Sequence, residues 1–392
     1  MLTIVGGTYL ELCREPHSKE LYGSGLRAAV ALSDNVADIH FHSCVGADEL
    51  KTAEFYAEAY RFKASFLEIP KTVAFHYYHP LTPPYITPRN ILDQLKHKLP
   101  AIQAEAVLLY GQVEAEIQVT GTYVVYDPQN HVPWKNALST AQHLALVLNR
   151  KEALLLSGLP EETELADVGH TLLSSEQAAV IIIKNGSQGA LVVDHAGSEL
   201  IPVFKTTSVW PIGSGDIFSA VFAWQWAVNH LLPAEAARIA SLYTAHYCQT
   251  KQRPLPLAHP VLEALPSKQP GQLVYLAGPF FTMAERWLIN ELREKLLEFG
   301  NTVFSPLHDV GVGPPHQVVA PDLDGIRRAD VVLAIATGLD AGTLFEIGYA
   351  KALGKRVVVF SENTTEHDLT MLIGSDCEIT DDFSSAVYQA SW

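Results

Sequence analysis

Residues 250–278 read TKQRPLPLAHPVLEALPSKQPGQLVYLAG. Pro254, Pro256, Pro260, Pro266 and Pro270 crowd the first part, and dense proline reads as a semi-rigid, extended linker with a short helical turn at VLEAL. LVYLAG at 273–278 then opens a fresh strand. The stretch divides the chain into domains 1–250 and 273–392, joined by a Pro-rich linker at 251–272. On both sides, short runs rich in Val and Ile alternate with amphipathic stretches. That is the pattern of an α/β protein, with a parallel sheet covered by helices.

In the first domain the strand candidates are 2–7, 38–46, 106–111, 122–127, 145–149, 179–186 and 190–194. Helix candidates are 24–33, 48–60, 88–98, 161–174 and 215–230. Residues 66–80, FLEIPKTVAFHYYHP, read as an extended excursion outside the central sheet. The second domain reads strand 273–277, helix 283–299, strand 301–305, helix 321–328, strand 330–336, helix 343–353 and strand 355–360. This is a small doubly wound unit of Rossmann-like or flavodoxin-like type.

The 392 residues are 48% hydrophobic and 18% charged, enough apolar material for sizeable cores and too much for a disordered chain. Lys and Arg number 27 against 43 Asp and Glu, a formal net charge of -16. Such a surface repels phosphate backbones and anionic headgroups, which argues against nucleic-acid and membrane partners. Cys13, Cys44, Cys248 and Cys377 show no CxxC spacing and are too few for a disulfide scaffold. With no basic leader and no long apolar run, the expected setting is the cytoplasm.

Residues 210–220, WPIGSGDIFSA, place a tight loop of small residues at a helix N-terminus. Free N–H groups and the helix dipole there suit a phosphate or a developing negative charge, and Asp216 stands where it could take a proton from a hydroxyl. A glycine turn with a dipole-favoured Asp explains the same residues. Most of 1–250 resembles the PfkB (ribokinase-like) family of carbohydrate and nucleoside kinases, whose fold is an α/β sandwich on a central parallel sheet. Gly213-Ser214-Gly215-Asp216 matches that family's anion hole and catalytic Asp. Asn149-Arg-Lys-Glu152 matches its N-x-x-E motif, and Lys184-Asn-Gly186-Ser-Gln-Gly189-Ala its strand and turn near the nucleotide. Asp127-Pro128, Gly23-Ser-Gly25 and Val45-Gly46-Ala47-Asp48 match three further motifs.

The resemblance implies ATP- and Mg2+-dependent phosphorylation of a hydroxyl on a sugar or nucleoside. Asp216 would be the base, Gly213, Ser214 and Gly215 the anion hole, and Asn149 and Glu152 the organisers of magnesium and phosphates. Lys184, Gly186 and Gly189 would lie by the nucleotide, and Glu11 and Gly25 by the sugar. Glu11 stands where the family usually has an Asp, Ala28 or Ala29 where it often has an Asn, and Trp210-Pro211 where it has Asp-Thr.

In the second domain Asp322, Asp340 and Glu346 converge on the carboxyl end of strand 330–336. Paired carboxylates at such a cleft suit glycosidic chemistry. Thr343-Leu-Phe-Glu346 is also a capping box, which places Glu346 in the first helical turn without any catalysis, and Asp330 reads as structural. Nearly all of 273–392 resembles the nucleoside 2-deoxyribosyltransferases and their N-glycosidase relatives. The resemblance rests on Tyr275-Leu-Ala-Gly278-Pro279-Phe280-Phe281, Phe304-Ser-Pro306, Asp322, Asp340, Gly342-Thr343-Leu-Phe-Glu346-Ile-Gly348-Tyr349-Ala350 and Gly354-Lys355.

It implies double displacement without a cofactor. Glu346 would be the nucleophile, Asp322 the proton donor, and Asp340 the holder of a sugar hydroxyl. Tyr275 would steady Glu346, and Phe280 and Phe281 would pack on the base beside Gly278, Gly342 and Thr343. Met371 would close the sugar's 5′ side, although the Asn that often accompanies such a Met is not evident here. Both families imply homo-oligomers acting on small nucleosides, nucleotides or pentoses.

Of the 16 histidines, His40 and His42 share a strand face, without ligand spacing to a Cys or carboxylate. Residues 76–84 read either as a lid over a sugar or as a packed aromatic edge, and His308-Asp309 could line the second cleft. The combined expectation is a bifunctional enzyme of nucleoside metabolism. The alternative is a working C-terminal glycosidase or transferase with a kinase-like ligand-binding or assembly module.

Overall fold

The computed structural model describes residues 1–91, 95–129, 132–266 and 271–392. The chain forms two compact units: Met1–Thr206 with Trp210–Ser267, and Thr207–Val209 with Lys268–Trp392. Among the described residues no helix is long and apolar enough to cross a membrane.

The first unit is built on a nine-stranded sheet. Its order is Gly197–Ile201, Ala190–Asp194, Val180–Lys184, Thr140–Asn149, Val119–Asp127, Ile102–Tyr110, Leu2–Val5, Ile39–Gly46 and Lys63–Ile69. Val180–Lys184 and the strands after it in this order run parallel, and the two hairpin strands at the near edge run antiparallel. Apolar residues on both faces of a strand require cover on both sides. Ile182 accordingly packs into one core beside the helices Gly23–Leu32, Ser214–Ala223 and Pro233–Thr250. Ile181 and Ile183 pack into the other, beside the helix Leu165–Ser175.

The strands predicted at 106–111, 122–127 and 145–149 are longer at their N-terminal ends, where polar residues alternate and hide them from an apolar-run search. The excursion expected at 66–80 is split. Lys63–Ile69 is the edge strand of the main sheet, whereas Ala74–Tyr77 joins a separate four-stranded sheet with Leu10–Cys13, Ser18–Leu21 and Tyr85–Thr87. In that small sheet the His76 ring stacks on Tyr85 at 4.3 Å.

The helix expected over 88–98 lies partly outside the described residues, at 92–94. Its end is instead a strand, His97–Lys98, paired with Ala115–Glu116, and Leu99 is buried in a cluster with Cys44, Ile69 and Ala115. The helix read at 161–174 is Leu165–Ser175, and a separate helix, Arg150–Ser157, precedes it. Within the proline-rich stretch Leu255 is buried in the first unit's core and Ala264 bridges to Phe204. That backbone pairing takes the place of the helical turn expected at VLEAL.

The second unit has a five-stranded, wholly parallel sheet ordered Thr302–Phe304, Leu273–Ala277, Val331–Ile335, Arg356–Phe360 and Glu378–Thr380. This 2-1-3-4-5 order is flavodoxin-like, with its switch point between the first and third strands. Asp330 sits at the start of the third strand, where its Oδ2 accepts the Leu273 N–H at 2.8 Å. The helix expected at 321–328 begins earlier, at Pro315, because proline is well suited to a first helical turn.

Candidate active sites

In the second unit, Tyr275 and Glu346 come together at the switch point. Tyr275 is fully buried, stacked on Phe304 at 5.5 Å, and its hydroxyl donates to Glu346 Oε1 at 2.6 Å. Glu346 rides on the helix Ala341–Ala352, whose N-cap is Asp340. Asp340 Oδ2 accepts the Thr343 N–H at 2.9 Å and the Thr343 hydroxyl at 3.1 Å. The expected Thr343–Glu346 capping box therefore does not form, and Glu346 lies in the second turn rather than the first. The cap starts the helix three residues earlier, which leaves the Glu346 carboxylate to Tyr275.

Burial pushes Glu346 up to about 7; the Tyr275 hydroxyl pulls it down, while Asp322 and Asp340 push it further up. Asp322 stands on the helix Pro315–Arg328, and its Oδ1 is buried without a hydrogen-bond partner among the described residues. Burial raises its pKa as well. Gly325, one turn on, brings this helix against Phe304: a Cβ there would lie 2.6 Å from the ring. Phe280 and Phe281 stack on each other at 5.8 Å, and Phe281 is 70% exposed. Gly278 packs on Ile335, where a Cβ would come within 3.0 Å. Thr343 is buried, Gly342 is exposed, and Met371 is 82% exposed. His308 is occupied elsewhere, by Ser305 at 3.0 Å and Asn290 at 2.9 Å.

In the first unit the loop turns at Gly213, whose φ of 80° favours glycine, and the helix Ser214–Ala223 begins there with Asp216 in its first turn. Asp216 is not a free carboxylate. Its Oδ1 accepts from Gln129 Nε2 at 2.8 Å and its Oδ2 from Arg27 Nε at 3.2 Å. Burial raises Asp216 to about 6; Arg27 opposes the shift and Glu11 adds to it. The Tyr110 hydroxyl holds the backbone carbonyl of Asp216 at 2.7 Å.

Lys184 Nζ pairs with Asp127 Oδ2 at 3.0 Å, and the Ser219 hydroxyl donates to the same oxygen at 2.7 Å. A Cβ on Gly215 would lie 3.3 Å from Lys184 Nζ, so the ammonium borders the glycine loop. Asn149 and Glu152 form a reciprocal capping box: Asn149 Oδ1 accepts the Glu152 N–H at 2.9 Å and Glu152 Oε2 the Asn149 N–H at 2.7 Å. That pairing explains the motif without a metal. Gly186 and Gly189 have positive φ, and a Cβ on Gly189 would strike Ile201 O at 2.1 Å. Gly25, expected beside a sugar, lets its helix come close to the backbone that follows the first strand, since a Cβ would lie 2.7 Å from the Gly6 carbonyl carbon.

Residues 110–255 match the family model of pfkB family carbohydrate kinases, and residues 274–383 that of nucleoside 2-deoxyribosyltransferases. The chain carries a domain of each family. Both are families of enzymes. The kinase-like domain also finds similar solved structures. A sulfate complex of a pyrophosphate-dependent kinase in the ribokinase family is 14% identical, with 66% of this chain and 98% of that one covered at a TM-score of 0.48. An aminoimidazole riboside kinase from Salmonella enterica is 15% identical, with 64% and 94% covered at 0.47. A nucleoside kinase of Methanocaldococcus jannaschii is 16% identical, with 64% and 93% covered at 0.45. No curated protein matches the chain.

The residue that sequence reading missed in the kinase-like domain is Arg27. It is fully buried and engages both Glu11 and Asp216. A signal was present: Arg27 is the one charge in GSGLRAAVAL, an otherwise small and apolar helix, and a buried Arg must have partners. The Ala28 and Ala29 noted at this place are both core residues. Gln129 and Tyr110 carried no comparable signal.

Proposed function

We propose that this protein acts on a small nucleoside or nucleotide and breaks or exchanges its N-glycosidic bond through Glu346. The observation that carries the reading is the Tyr275 hydroxyl held 2.6 Å from the Glu346 carboxylate, at the sheet's switch point. A Glu346 oxygen attacks the anomeric carbon as the carbon–nitrogen bond breaks. The base leaves with the bonding pair and takes a proton from Asp322, whose pKa burial raises. A second base, or water, then attacks the anomeric carbon and gives its proton to Asp322, while the bond to the Glu346 oxygen breaks and restores the carboxylate. Tyr275 orients the nucleophile, the outer oxygen of Asp340 accepts a sugar hydroxyl, and Phe280 and Phe281 pack on the base. Gly278, Gly342 and Thr343 shape the floor, and Met371 borders the sugar's 5′ side. No cofactor enters these steps. The enzyme works as a cytoplasmic homo-oligomer.

A panel of deoxynucleosides, ribonucleosides and their 5′-monophosphates, followed by chromatography with mass detection, tests this. Base release or exchange that disappears in Glu346→Ala supports it. Base release that survives in Glu346→Ala overturns it.

The second reading adds phosphoryl transfer from ATP through Asp216. The glycine loop favours it: Gly215 carries no Cβ, Lys184 Nζ lies alongside, and a helix N-terminus at Gly213, Ser214 and Gly215 suits a phosphate, although the Ser214 N–H is already bonded to the Pro211 carbonyl at 3.0 Å. ATP, with its Mg2+, would supply the phosphoryl group. Gly186 and Gly189 would form the turn beside it, while the Asn149–Glu152 cap would position the neighbouring helix. Asp216 would take the acceptor's proton. Formation of a phosphorylated sugar or nucleoside, by wild type or by a variant at Arg27, that is lost on adding Asp216→Asn would establish this reading.

A further inference from the structure

Arg27 is fully buried, and its three nitrogens all have partners. Nη2 donates to Glu11 Oε2, Nε to Asp216 Oδ2 at 3.2 Å, and Nη1 to the Tyr247 hydroxyl at 2.7 Å. The Tyr22 ring lies 5.2 Å from the guanidinium carbon and the Tyr247 ring 5.8 Å. A Cβ on Gly213 would meet Arg27 Nε at 2.1 Å, so the guanidinium lies directly on the glycine loop.

This position has a chemical consequence. A phosphoryl acceptor must bring its hydroxyl to Asp216, and Glu11 lies on the other side of the same guanidinium. One guanidinium now spans the two carboxylates. Asp216 Oδ2 is taken by Arg27 and Oδ1 by Gln129. Each carboxylate oxygen can accept a second hydrogen bond, but a neutral hydroxyl forms a weaker one than the guanidinium does, so a sugar competes poorly with Arg27 for Asp216 Oδ2. Arg27 meets the loop at Gly213, whereas Lys184 borders it at Gly215.

We propose that Arg27 is a built-in plug in the acceptor site of the kinase-like domain. In this state the domain can take a phosphate-bearing ligand on its glycine loop but does not present Asp216 to a neutral sugar or nucleoside hydroxyl. The proposal rests on the second reading above, because that reading brings the acceptor's hydroxyl to Asp216, and it decides whether that site is open.

The test uses the full chain as wild type, Arg27→Asn, Arg27→Lys and Asp216→Asn. Each is incubated with ATP, Mg2+ and ribose, deoxyribose or nucleosides, and binding of the same acceptors is measured by calorimetry. The plug predicts no phosphorylated product from wild type above the Asp216→Asn background. It also predicts that Arg27→Asn binds at least one acceptor about tenfold or more tighter than wild type. Arg27→Lys, which keeps the charge without the fork, should stay closed. Wild-type phosphorylation that is abolished by Asp216→Asn and lowered by Arg27→Asn would overturn the plug and place Arg27 in a working site. A folded Arg27→Asn that binds no acceptor tighter than wild type would overturn it too. Should Arg27→Asn fail to fold, Arg27→Gln takes its place in the turnover and binding measurements. Base release through Glu346 is read separately in the same preparations, so failure there is not confused with failure of the plug.

Discussion

Asp216 and Glu346 are both carboxylates raised by burial, one to about 6 and the other to about 7. They differ in what faces them. Glu346 meets a neutral phenol, which orients it and adds no charge. Asp216 is gripped by a buried guanidinium and an amide, with a donor on each oxygen. A raised pKa alone therefore does not mark a reactive carboxylate. A neutral donor leaves a carboxylate its full charge for a new bond, whereas a cation in contact offsets part of it.

The largest expected effect would sharpen this contrast. Glu346→Ala should lower base release on the order of a thousandfold, by loss of the nucleophile, while Asp216→Ala should leave it unchanged. Rates from the nucleoside panel check both.

Next comes the cost of opening the ion pair. Arg27→Met should destabilise the kinase-like domain by about 3 kcal/mol, because it leaves the largely buried Glu11 and Asp216 without their cation. Adding Glu11→Gln and Asp216→Asn to Arg27→Met should recover much of the loss. Denaturant titration measures both, and an unchanged midpoint in Arg27→Met would break the comparison.

Tyr275→Phe should slow base release by roughly 10–100-fold, the scale of a lost hydrogen bond to a charged group. A nucleophile must be ionised, so wild-type activity should fall as pH drops below about 7. The Tyr275 hydroxyl stabilises the ionised form, and its loss should move this limb to higher pH. A limb that stays in place would separate Tyr275 from Glu346.

The smallest effect concerns stability. Glu346 has a folded pKa raised above its ordinary value of 4.5, so the folded state binds this proton more tightly than the unfolded one. Stability contributed by the bound proton is present below about 4.5 and lost as pH rises through about 7. Glu346→Gln should therefore melt a few degrees above wild type at pH 8 and close to it at pH 5, as thermal scans at the two pH values would show.

Much of the fold was legible because its signals are local. Runs such as VIIIK and ALVVD bury both faces, so they read as sheet without reference to partners. The four-stranded sheet at 10–21 and 74–87 was missed because its strands are short and half-exposed and owe their existence to pairing. In the candidate sites, Tyr275 and Glu346 could be named from their motifs, whereas their hydrogen bond spans 71 positions. The frame of the Glu346 helix was misplaced because Asp340 and Thr343 are both acceptable caps, and only the folded loop chooses between them.

By itself the sequence determined the α/β class and the glycine turn before Asp216. It also determined the order of carboxylates leading to Glu346. Each follows from residue type and spacing within a few positions. The tertiary structure alone decided how the two carboxylates are engaged. Arg27 lies 16 positions from Glu11 and 189 from Asp216, and nothing local couples them. A guanidinium buried in an apolar helix needs anionic partners, and the fold brings those two carboxylates within its reach.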